Sequence, residues 1–435
     1  MRVFLKSYGC SANQADSEVL LGCLIDAGYE SADSISEADV VVVNTCAVKG
    51  PTENRVVEAL KHVPKAKKLI IAGCLPVTSF ERLSRVIRFD GLVGPAFGKD
   101  IVKVVDRVMA GEKVMALDTS LEAKPSLSLP RIRSNPVVSI IPINYGCLGS
   151  CAYCCVVFAR GRLRSYDLEE ITSRLREDLA AGAKEFWVTS QDVACYGRDF
   201  GVTLPDLLDT LVKVEGDFRI RIGMMTPNMV ADIADELVAV FKNKKIFKFL
   251  HLPVQSGDDG VLERMHRCYN IREFKNIVNA FRTVFSNLTL STDVICGFPG
   301  ETREAFENTL KLVSEVKPDI VNVSKFFPRP KTAAALMQHE FLEPTEIKRR
   351  STVTAQLARK TAFDRNQLWL GWTGEVLIDE KGKIPGTWIG RNFAYKPVAV
   401  KNEQNLLGQK PRVRVLKAYS SHLLGTITSE SSSDQ

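Results

Sequence analysis

The chain has 435 residues, of which 45% are hydrophobic and 25% charged, and it carries a formal net charge of +7. This length favours two or three domains over one compact module. Apolar runs such as Val40 to Val43 are far shorter than the ~18 residues of a membrane helix, and polar residues interrupt the first 13 positions, so we predict neither a membrane span nor a signal peptide. We therefore expect a cytoplasmic protein, whose positive charge favours an acidic partner such as nucleic acid.

Residues 1–115 alternate short apolar runs with helical periodicity. The runs Val3 to Lys6, Val40 to Asn44 and Leu69 to Ala72 indicate strands, and the patterns through Val19 to Leu24 and Val56 to Leu60 indicate helices. Strands that are apolar throughout and separated by helices are typical of a parallel sheet covered on both faces. The sequence therefore predicts an α/β N-terminal domain with a doubly wound parallel sheet.

A cysteine follows the end of each of these three strands. They are Cys10, Cys46 and Cys74. The carboxyl ends of parallel strands open on one edge of a sheet, where ligands bind. We therefore expect the three thiols to converge there, and we favour a shared metal site over three unrelated core cysteines.

The next segment indicates a linker and then a second, larger α/β domain. Residues 116–136 contain three prolines among Ser and Lys without periodicity, which predicts an interdomain linker. Strand-helix alternation resumes over residues 137–367 and predicts a partial (β/α)6 barrel with its active site at the carboxyl ends of the strands. The six strands are expected near Val137 to Asn144, Glu185 to Ser190, Arg219 to Met224, Phe247 to Pro253, Leu288 to Cys296 and Ile320 to Phe326.

Three cysteines follow the first barrel strand with a spacing of three and two intervening residues. Cys147, Cys151 and Cys154 can wrap one face of a cubic iron–sulfur cluster and leave one iron without a protein ligand. Zinc is the alternative, but a closed zinc site needs four ligands and no histidine is near in sequence. In a chain without a secretory signal we expect reduced thiols, and we interpret the remaining cysteines as buried core residues: Cys23, Cys155, Cys195, Cys268 and Cys296.

Residues 368–428 change to short alternating strands with Gly turns, which predicts a small antiparallel β-barrel, and residues 429–435 are predicted to be a disordered tail. Between Lys381 and Lys417 nine basic residues stand against one acid, with three aromatic residues among them. Cations interleaved with flat rings predict a nucleic-acid surface, and a solvated strand face is the alternative. The RNA-binding candidates are Lys383, Arg391, Lys396, Lys410, Arg412 and Arg414, with further basic groups at Lys65 to Lys68, Arg160 to Arg164 and Lys348 to Arg350.

The cysteine triplet, with Tyr153 before its third thiol, resembles that of the radical S-adenosylmethionine enzymes. Further motifs narrow the resemblance to the methylthiotransferases: Tyr8-Gly9-Cys10, Asn44-Thr45-Cys46, Ala72-Gly73-Cys74, the segment His251 to Gly257 and the segment Gly297 to Thr302. The resemblance implies that Cys147, Cys151 and Cys154 hold a [4Fe-4S] cluster that binds and cleaves S-adenosylmethionine. It also implies that Cys10, Cys46 and Cys74 hold a second [4Fe-4S] cluster.

The same resemblance implies a reaction that attaches a methylthio group to an aromatic carbon through radical hydrogen abstraction, with two S-adenosylmethionine molecules per product. Further cofactor contacts are expected at strand ends: Tyr153, Gln191, Asp192, Gln255, Ser256, Asp293, Phe298 and Pro299. For Gln255 and Asp293, turn capping or a satisfied core network is the alternative. The chain departs from the family at Gln191 and Asp192, where many relatives carry Gly-Gly-Glu, and at Lys331, where the family has Gly.

Residues 46–53 resemble the archaeal and eukaryotic branch of the family, which modifies threonylcarbamoyladenosine beside the tRNA anticodon. The alternatives are isopentenyladenosine in tRNA, an aspartate of a ribosomal protein, and a non-catalytic iron–sulfur RNA-binding protein. A basic ribosomal target would suit an acidic terminal barrel, and a non-catalytic protein has no use for an open iron. We expect a monomer that binds the tRNA anticodon stem-loop and takes electrons from a donor such as flavodoxin or ferredoxin.

Overall fold

The computed structural model describes residues 1–47, 50–117 and 124–428. The N-terminal domain forms one parallel sheet in the order β2-β1-β3-β4-β5-β6. All six positions of β3 are buried, which explains its unbroken apolar run and confirms the predicted doubly wound sheet. The elements are β1 (Arg2–Ser7), α1 (Ser11–Asp26), β2 (Glu30–Ser31), β3 (Val40–Thr45), α2 (Gly50–Lys61), β4 (Lys68–Gly73), α3 (Cys74–Thr78), α4 (Phe80–Val86), β5 (Gly91–Val93), α5 (Ile101–Met109) and β6 (Val114–Ala116).

The segment predicted as a linker is packed between the two domains from residue 124 onward. Leu127 lies in the barrel core. Arg131 donates hydrogen bonds to the carbonyl of Ile140 at 2.9 Å and to Ser139 Oγ at 2.8 Å, while Ser134 Oγ donates to Glu18 Oε1 at 2.8 Å. These bonds fasten α1 to the first barrel strand, and the predicted linker residues 118–123 lie outside the described residues.

The central domain is the predicted partial barrel. Strands β7, β10 and β11 and strands β12, β13 and β14 form two parallel sheets, and single bridges at Ile220–Ile246 and Met224–His251 join them. The elements are β7 (Val138–Pro142), β8 (Asn144–Tyr145), α6 (Val156–Arg160), β9 (Arg164–Ser165), α7 (Leu168–Ala180), β10 (Glu185–Thr189), α8 (Leu204–Lys213), β11 (Arg219–Ile222), α9 (Pro227–Ala231), α10 (Ala234–Phe241), β12 (Phe249–His251), α11 (Asp259–Arg264), α12 (Ile271–Val284), β13 (Thr289–Cys296), α13 (Arg303–Val316), β14 (Ile320–Lys325) and α14 (Pro344–Gln367).

The C-terminal domain is a six-stranded curled sheet in the order β15-β19-β20-β18-β17-β16. Its strands are β15 (Thr373–Glu375), β16 (Leu377–Lys381), β17 (Thr387–Arg391), β18 (Pro397–Lys401), β19 (Arg412–Ala418) and β20 (Leu423–Ile427). The pairs are antiparallel except β18 with β20. Strands β15 and β16 are consecutive in the chain but occupy opposite edges, so the sheet curls into a half-barrel. The predicted tail, residues 429–435, lies outside the described residues.

The C-terminal sheet covers the amino-terminal ends of the barrel strands. Asn135, Lys184 and Lys248 each precede a barrel strand, and each donates a hydrogen bond of 2.8 to 2.9 Å to a carbonyl of the C-terminal domain. The C-terminal domain therefore lies at the end of the barrel opposite to the carboxyl ends of the strands. Among the described residues, no helix combines the length and hydropathy that a membrane span requires.

Candidate active site between the N-terminal domain and the barrel

Cys10, Cys46 and Cys74 meet at the carboxyl edge of the N-terminal sheet. Strands β1, β3 and β4 are neighbours in that sheet, and Cys46 and Cys74 directly follow β3 and β4. Burial, with smaller contributions from the nearby Cys46 and Cys10, raises the pKa of the Cys74 thiol to about 12. Three thiols from distant parts of the sequence therefore share one site, as the strand-end pattern predicts.

Two glycines with positive φ allow this close approach. Gly9 has a φ of +121°, and a Cβ there would lie 2.4 Å from the Cβ of Cys46. Gly73 has a φ of +95°, and a Cβ there would lie 2.3 Å from Asn44 Oδ1. Any side chain at either position would push the cysteine loops apart, so the site depends on glycine.

Asn13, at the start of α1, ties the cysteine loops together. Its Nδ2 donates to the carbonyl of Tyr8 at 3.1 Å and to the carbonyl of Thr45 at 2.7 Å. Asn44 Nδ2 in turn donates to the carbonyl of Asn13 at 2.8 Å. Asn13 is not among the predicted site residues; an amide in the first turn of a helix that follows a Gly-Cys pair is the sequence signal that marks it.

The barrel triplet lies in the loop between β8 and α6. The backbone N–H of Gly149 donates to Cys147 Sγ at 3.2 Å, and Arg267 Nη1 donates to Cys151 Sγ at 3.2 Å. A hydrogen bond from Cys195 lowers the pKa of Cys147, whereas burial raises the pKa of Cys154. Donors that favour thiolate are what a metal-binding loop requires. Arg267 is not among the predicted site residues, because it lies more than a hundred residues from the triplet in sequence.

Within residues 1–47, 50–117 and 124–428, no three His, Cys, Asp or Glu side chains are arranged to hold a single metal ion.

The two triplets face each other across the domain interface. Cys155, adjacent to Cys154, is buried, and its Sγ donates to the carbonyl of Ala47 at 3.5 Å, one residue beyond Cys46. Cys155 and Cys74 also belong to one small apolar cluster. One continuous site therefore contains both groups of thiols.

The other lone cysteines follow the prediction in part. Cys23, Cys155, Cys195 and Cys296 are buried as predicted, but Cys268 is exposed, so its assignment to the core is wrong. Cys268 lies in the turn between α11 and α12, which leaves it at the surface. Cys195 is buried but is more than a packing residue, because its thiol bonds to that of Cys147.

Gln255 has the features of a ligand-binding side chain. Its φ is +69°, a strained conformation for a residue other than glycine, and its Oε1 is buried without a hydrogen-bond partner among the described residues. A buried amide oxygen left without a donor carries a free-energy cost that a bound ligand can offset. Asp293, beside it, already accepts from Asn322 Nδ2 at 2.6 Å and from His251 Nε2 at 3.3 Å.

Three predicted cofactor contacts have structural roles. Ser256 is buried, and its Oγ bonds to Thr309 Oγ1 and accepts from the N–H of Asp258. The fully buried ring of Phe298 packs in the core, 6.5 Å from the Tyr153 ring. The contacts of both residues with a cofactor stay predictions. Asp192 is buried, and its Oδ1 accepts two backbone N–H bonds, which makes it a cap of the turn after β10.

Three other candidates lie around the triplet loop. Gln191 Oε1 accepts from the N–H of Gly146, directly before Cys147, at 2.8 Å. The carbonyl of Pro299 accepts from Arg264 Nη2 at 3.3 Å, and Tyr153 is partly buried within the triplet. Their contacts with a cofactor stay predictions. Lys331 has a φ of +65°, a conformation that glycine adopts more readily than other residues.

Half of the predicted RNA-binding cations form ion pairs within the protein, and two of these pairs join the C-terminal domain to the barrel. Lys396 is only 3% exposed, and its Nζ bonds to Asp319 Oδ1 and Asn366 Oδ1, both at 2.7 Å. Arg391 is bonded to Asp379 at 3.0 Å, and Lys410 pairs with Asp217 of the barrel. The three charges are therefore engaged in ion pairs within the protein.

Tyr395, which is next to Lys396 in the chain, also contacts the barrel. Tyr395 packs against Phe247 with ring centroids 4.8 Å apart, and its hydroxyl donates to Glu185 Oε1 at 2.9 Å.

Two of the other residues expected to extend the basic surface are buried in ion pairs. They are Arg160, in the stretch 160–164, and Arg350, in the stretch 348–350. Lys383, Arg412 and Arg414 do lie exposed on the C-terminal sheet.

Comparison with known proteins defines the class first. Residues 2–94 match the model described as Uncharacterized protein family UPF0004, residues 141–313 match the Radical SAM superfamily, and residues 369–428 match the TRAM domain. The fold is similar to that of a radical S-adenosylmethionine methyltransferase, TsrM, from Kitasatospora setae, solved with cobalamin and a [4Fe-4S] cluster. The TM-score is 0.53 at 14% identity, over 77% of this chain and 73% of that one. The chain therefore combines a radical S-adenosylmethionine domain with an N-terminal UPF0004 domain and a C-terminal TRAM domain.

Full-length relatives define the family. The chain is 38% identical to the "Probable threonylcarbamoyladenosine tRNA methylthiotransferase" of Pyrococcus horikoshii, over 98% of this chain and 99% of that protein. It is 35% identical to the "Threonylcarbamoyladenosine tRNA methylthiotransferase" of Danio rerio, over 98% of this chain and 78% of that protein. The chain belongs to the threonylcarbamoyladenosine tRNA methylthiotransferase family, and it is an enzyme of the radical S-adenosylmethionine tRNA methylthiotransferase type.

Proposed function

We propose that this enzyme transfers a methylthio group to C2 of threonylcarbamoyl-modified adenosine next to the anticodon of tRNA and consumes two S-adenosylmethionine molecules per product. The observation that carries the proposal is the pair of cysteine triplets that face each other across the interface of the N-terminal domain and the barrel. Breaking an unactivated C–H bond and delivering sulfur are two tasks that side chains alone do not perform. The printed names of the full-length relatives support the choice of nucleoside.

Each triplet is proposed to hold one [4Fe-4S] cluster. Cys147, Cys151 and Cys154 would hold the cluster that supplies reductive cleavage of S-adenosylmethionine, and the N-terminal cysteines would hold the one that supplies the sulfur. The chain's own contribution is positioning. Arg267 donates to Cys151, and Gln255 offers its unpartnered Oε1 to a donor group of S-adenosylmethionine.

The remaining proposed contacts with S-adenosylmethionine surround the same loop. Tyr153 and Gln191 lie at the triplet, Asp293 lies beside Gln255, and Pro299 follows the end of β13. These positions occupy the carboxyl ends of the barrel strands, where ligands of such folds bind. The electron for cleavage is proposed to come from a donor protein such as flavodoxin or ferredoxin.

The tRNA is proposed to contact both ends of the barrel. The exposed Lys383, Arg412 and Arg414 belong to the TRAM domain, which covers the amino-terminal ends of the barrel strands, whereas the cysteines follow their carboxyl ends. An RNA bound by both must extend along the barrel, as an anticodon stem-loop is long enough to do. We propose that the enzyme acts as a monomer in the cytoplasm.

A panel of substrates tests this proposal. Anaerobically reconstituted enzyme is given S-adenosylmethionine, a chemical reductant and one of three targets: a stem-loop with threonylcarbamoyladenosine, the same stem-loop with isopentenyladenosine, or a ribosomal protein. We expect methylthiolated product from the first alone, measured by mass spectrometry. Product from either of the other two targets, with none from the first, would contradict the proposed substrate.

A further inference from the structure

Arg160 reaches from the barrel into the cage formed by the N-terminal cysteines. It is the last residue of α6, which follows the barrel triplet, and α6 packs against α3, the helix that begins at Cys74. Its side chain is only 2% exposed. A cationic side chain this deeply buried needs anionic partners or hydrogen-bond acceptors.

The partners of Arg160 satisfy only part of its guanidinium. Nη2 donates to Asp16 Oδ2 at 2.6 Å and to Asn13 Oδ1 at 2.9 Å, and the group lies 5.2 Å from the centroid of the Tyr145 ring. Nη1 is buried and has no hydrogen-bond partner among the described residues. An acceptor from outside the protein chain would complete the set.

The packing of α6 locates that acceptor. Ala159, the residue before Arg160, belongs to one apolar cluster with Cys74, so the guanidinium lies next to the thiol cage. Asn13, which holds Nη2, is the same residue that ties the Cys10 and Cys46 loops together. The unpartnered donor and the cage therefore belong to one network.

We infer that Arg160 is a positioning residue for an iron–sulfur cluster held by Cys10, Cys46 and Cys74, donating a hydrogen bond from Nη1 to the cluster or its Cys74 ligand and raising its reduction potential. The inference rests on the proposed function, which places a cluster at these cysteines. A reduced cluster carries one more negative charge, and a nearby cation and a hydrogen bond to sulfur both stabilise it. The barrel would thereby tune the N-terminal cluster.

The test isolates the N-terminal cluster in the full-length chain. Alanine at all three barrel cysteines leaves one cluster, whose reduction is followed by electron paramagnetic resonance during a redox titration. In this background we expect Arg160→Gln to lower the reduction potential by at least about 59 mV, which makes a one-electron reduction tenfold less favourable. Arg162→Gln is the matched control, because Arg162 is exposed two residues further on, and it should leave the potential unchanged.

Two further variants keep the test decisive if Arg160→Gln fails to fold. Arg160→Lys keeps the charge but loses the fork of donors, and we expect a smaller shift in the same direction. The double variant Asp16→Asn with Arg160→Gln removes both members of the buried ion pair. We expect its reduction potential to be lower than that of the single variant Asp16→Asn. Unchanged potentials at equal iron content would overturn the role of Arg160. A chain without the barrel cysteines that binds no iron would overturn the second cluster as well.

Discussion

Replacing Lys396 with methionine separates domain docking from RNA binding. The Lys396 ammonium is buried between Asp319 and Asn366, and Asp319 also accepts from Arg365 Nε at 3.1 Å and from the N–H of Leu290 at 2.9 Å. Removing one member of a buried ion pair costs 3–5 kcal/mol, and the remaining partners of Asp319 place the expected loss near the low end, at about 3 kcal/mol. This is roughly a hundredfold change in the equilibrium constant for unfolding.

Urea unfolding followed by tryptophan fluorescence measures this loss. Three of the four tryptophans, Trp369, Trp372 and Trp388, lie in the C-terminal domain and report on its unfolding. We expect a lower urea midpoint for Lys396→Met. We also expect an unchanged salt dependence of tRNA binding, measured at a temperature where the variant is folded, because Lys396 does not reach the RNA.

The opposite pattern would refute this reasoning. If Lys396 binds a phosphate, Lys396→Met should keep the wild-type urea midpoint. It should also reduce the slope of log K for tRNA binding against log salt, by about 0.9 if the phosphate lies in a duplex (the value for B-DNA) or about 0.7 if it lies in a single strand. Arg414→Gln provides the comparison, since Arg414 is exposed on β19 and its loss should leave the midpoint unchanged.

Three further predictions follow from the domain interface and the cysteines. Neutralising Arg412 and Arg414 together should weaken tRNA binding and reduce its salt slope by up to about two, while cleavage of S-adenosylmethionine without RNA persists; unchanged affinity and slope would return these residues to a solvated strand face. Burial, and to a smaller extent repulsion from the Asp379 carboxylate, raises the pKa of Glu185 to about 7, above its value of 4.5 in the unfolded chain. The contribution of Glu185 to the free energy of unfolding is therefore complete below pH 4.5 and is lost as the pH rises through 7. Glu185→Gln should remove this pH-dependent loss from urea midpoints measured between pH 5 and 8. Reconstituted protein should hold about eight irons by colorimetric assay, alanine at the three barrel cysteines should remove half, and Cys155→Ala should remove none; a full complement in the triple variant would contradict the assignment.

The N-terminal site could be predicted from sequence because local patterns determine it. Strands β3 and β4 contain longer apolar runs and β1 a shorter one, Val3 to Leu5, and a cysteine follows each strand within three residues. Parallel strands in neighbouring positions bring such residues together without any further information. The partial barrel and its triplet loop were predictable for the same reason.

The basic residues could not be sorted from sequence because their partners lie in other domains. Lys396 pairs with Asp319, 77 residues away, and Lys410 with Asp217, 193 residues away. A cation that docks a domain and one that binds a phosphate look alike until the interface is known. Arg160 shows the same limitation, since its partner Asp16 comes from the opposite side of the domain interface, 144 residues earlier.

The central claim is methylthiolation of threonylcarbamoyladenosine in tRNA, and nucleoside mass spectrometry tests it most directly. Total tRNA is taken from cells without the gene and from the same cells supplied with the wild-type chain or with Cys46→Ala. We predict that the methylthiolated nucleoside is absent without the gene, returns with the wild-type chain and does not return with Cys46→Ala. Its presence at full level in cells without the gene, or its return with Cys46→Ala, would contradict the account.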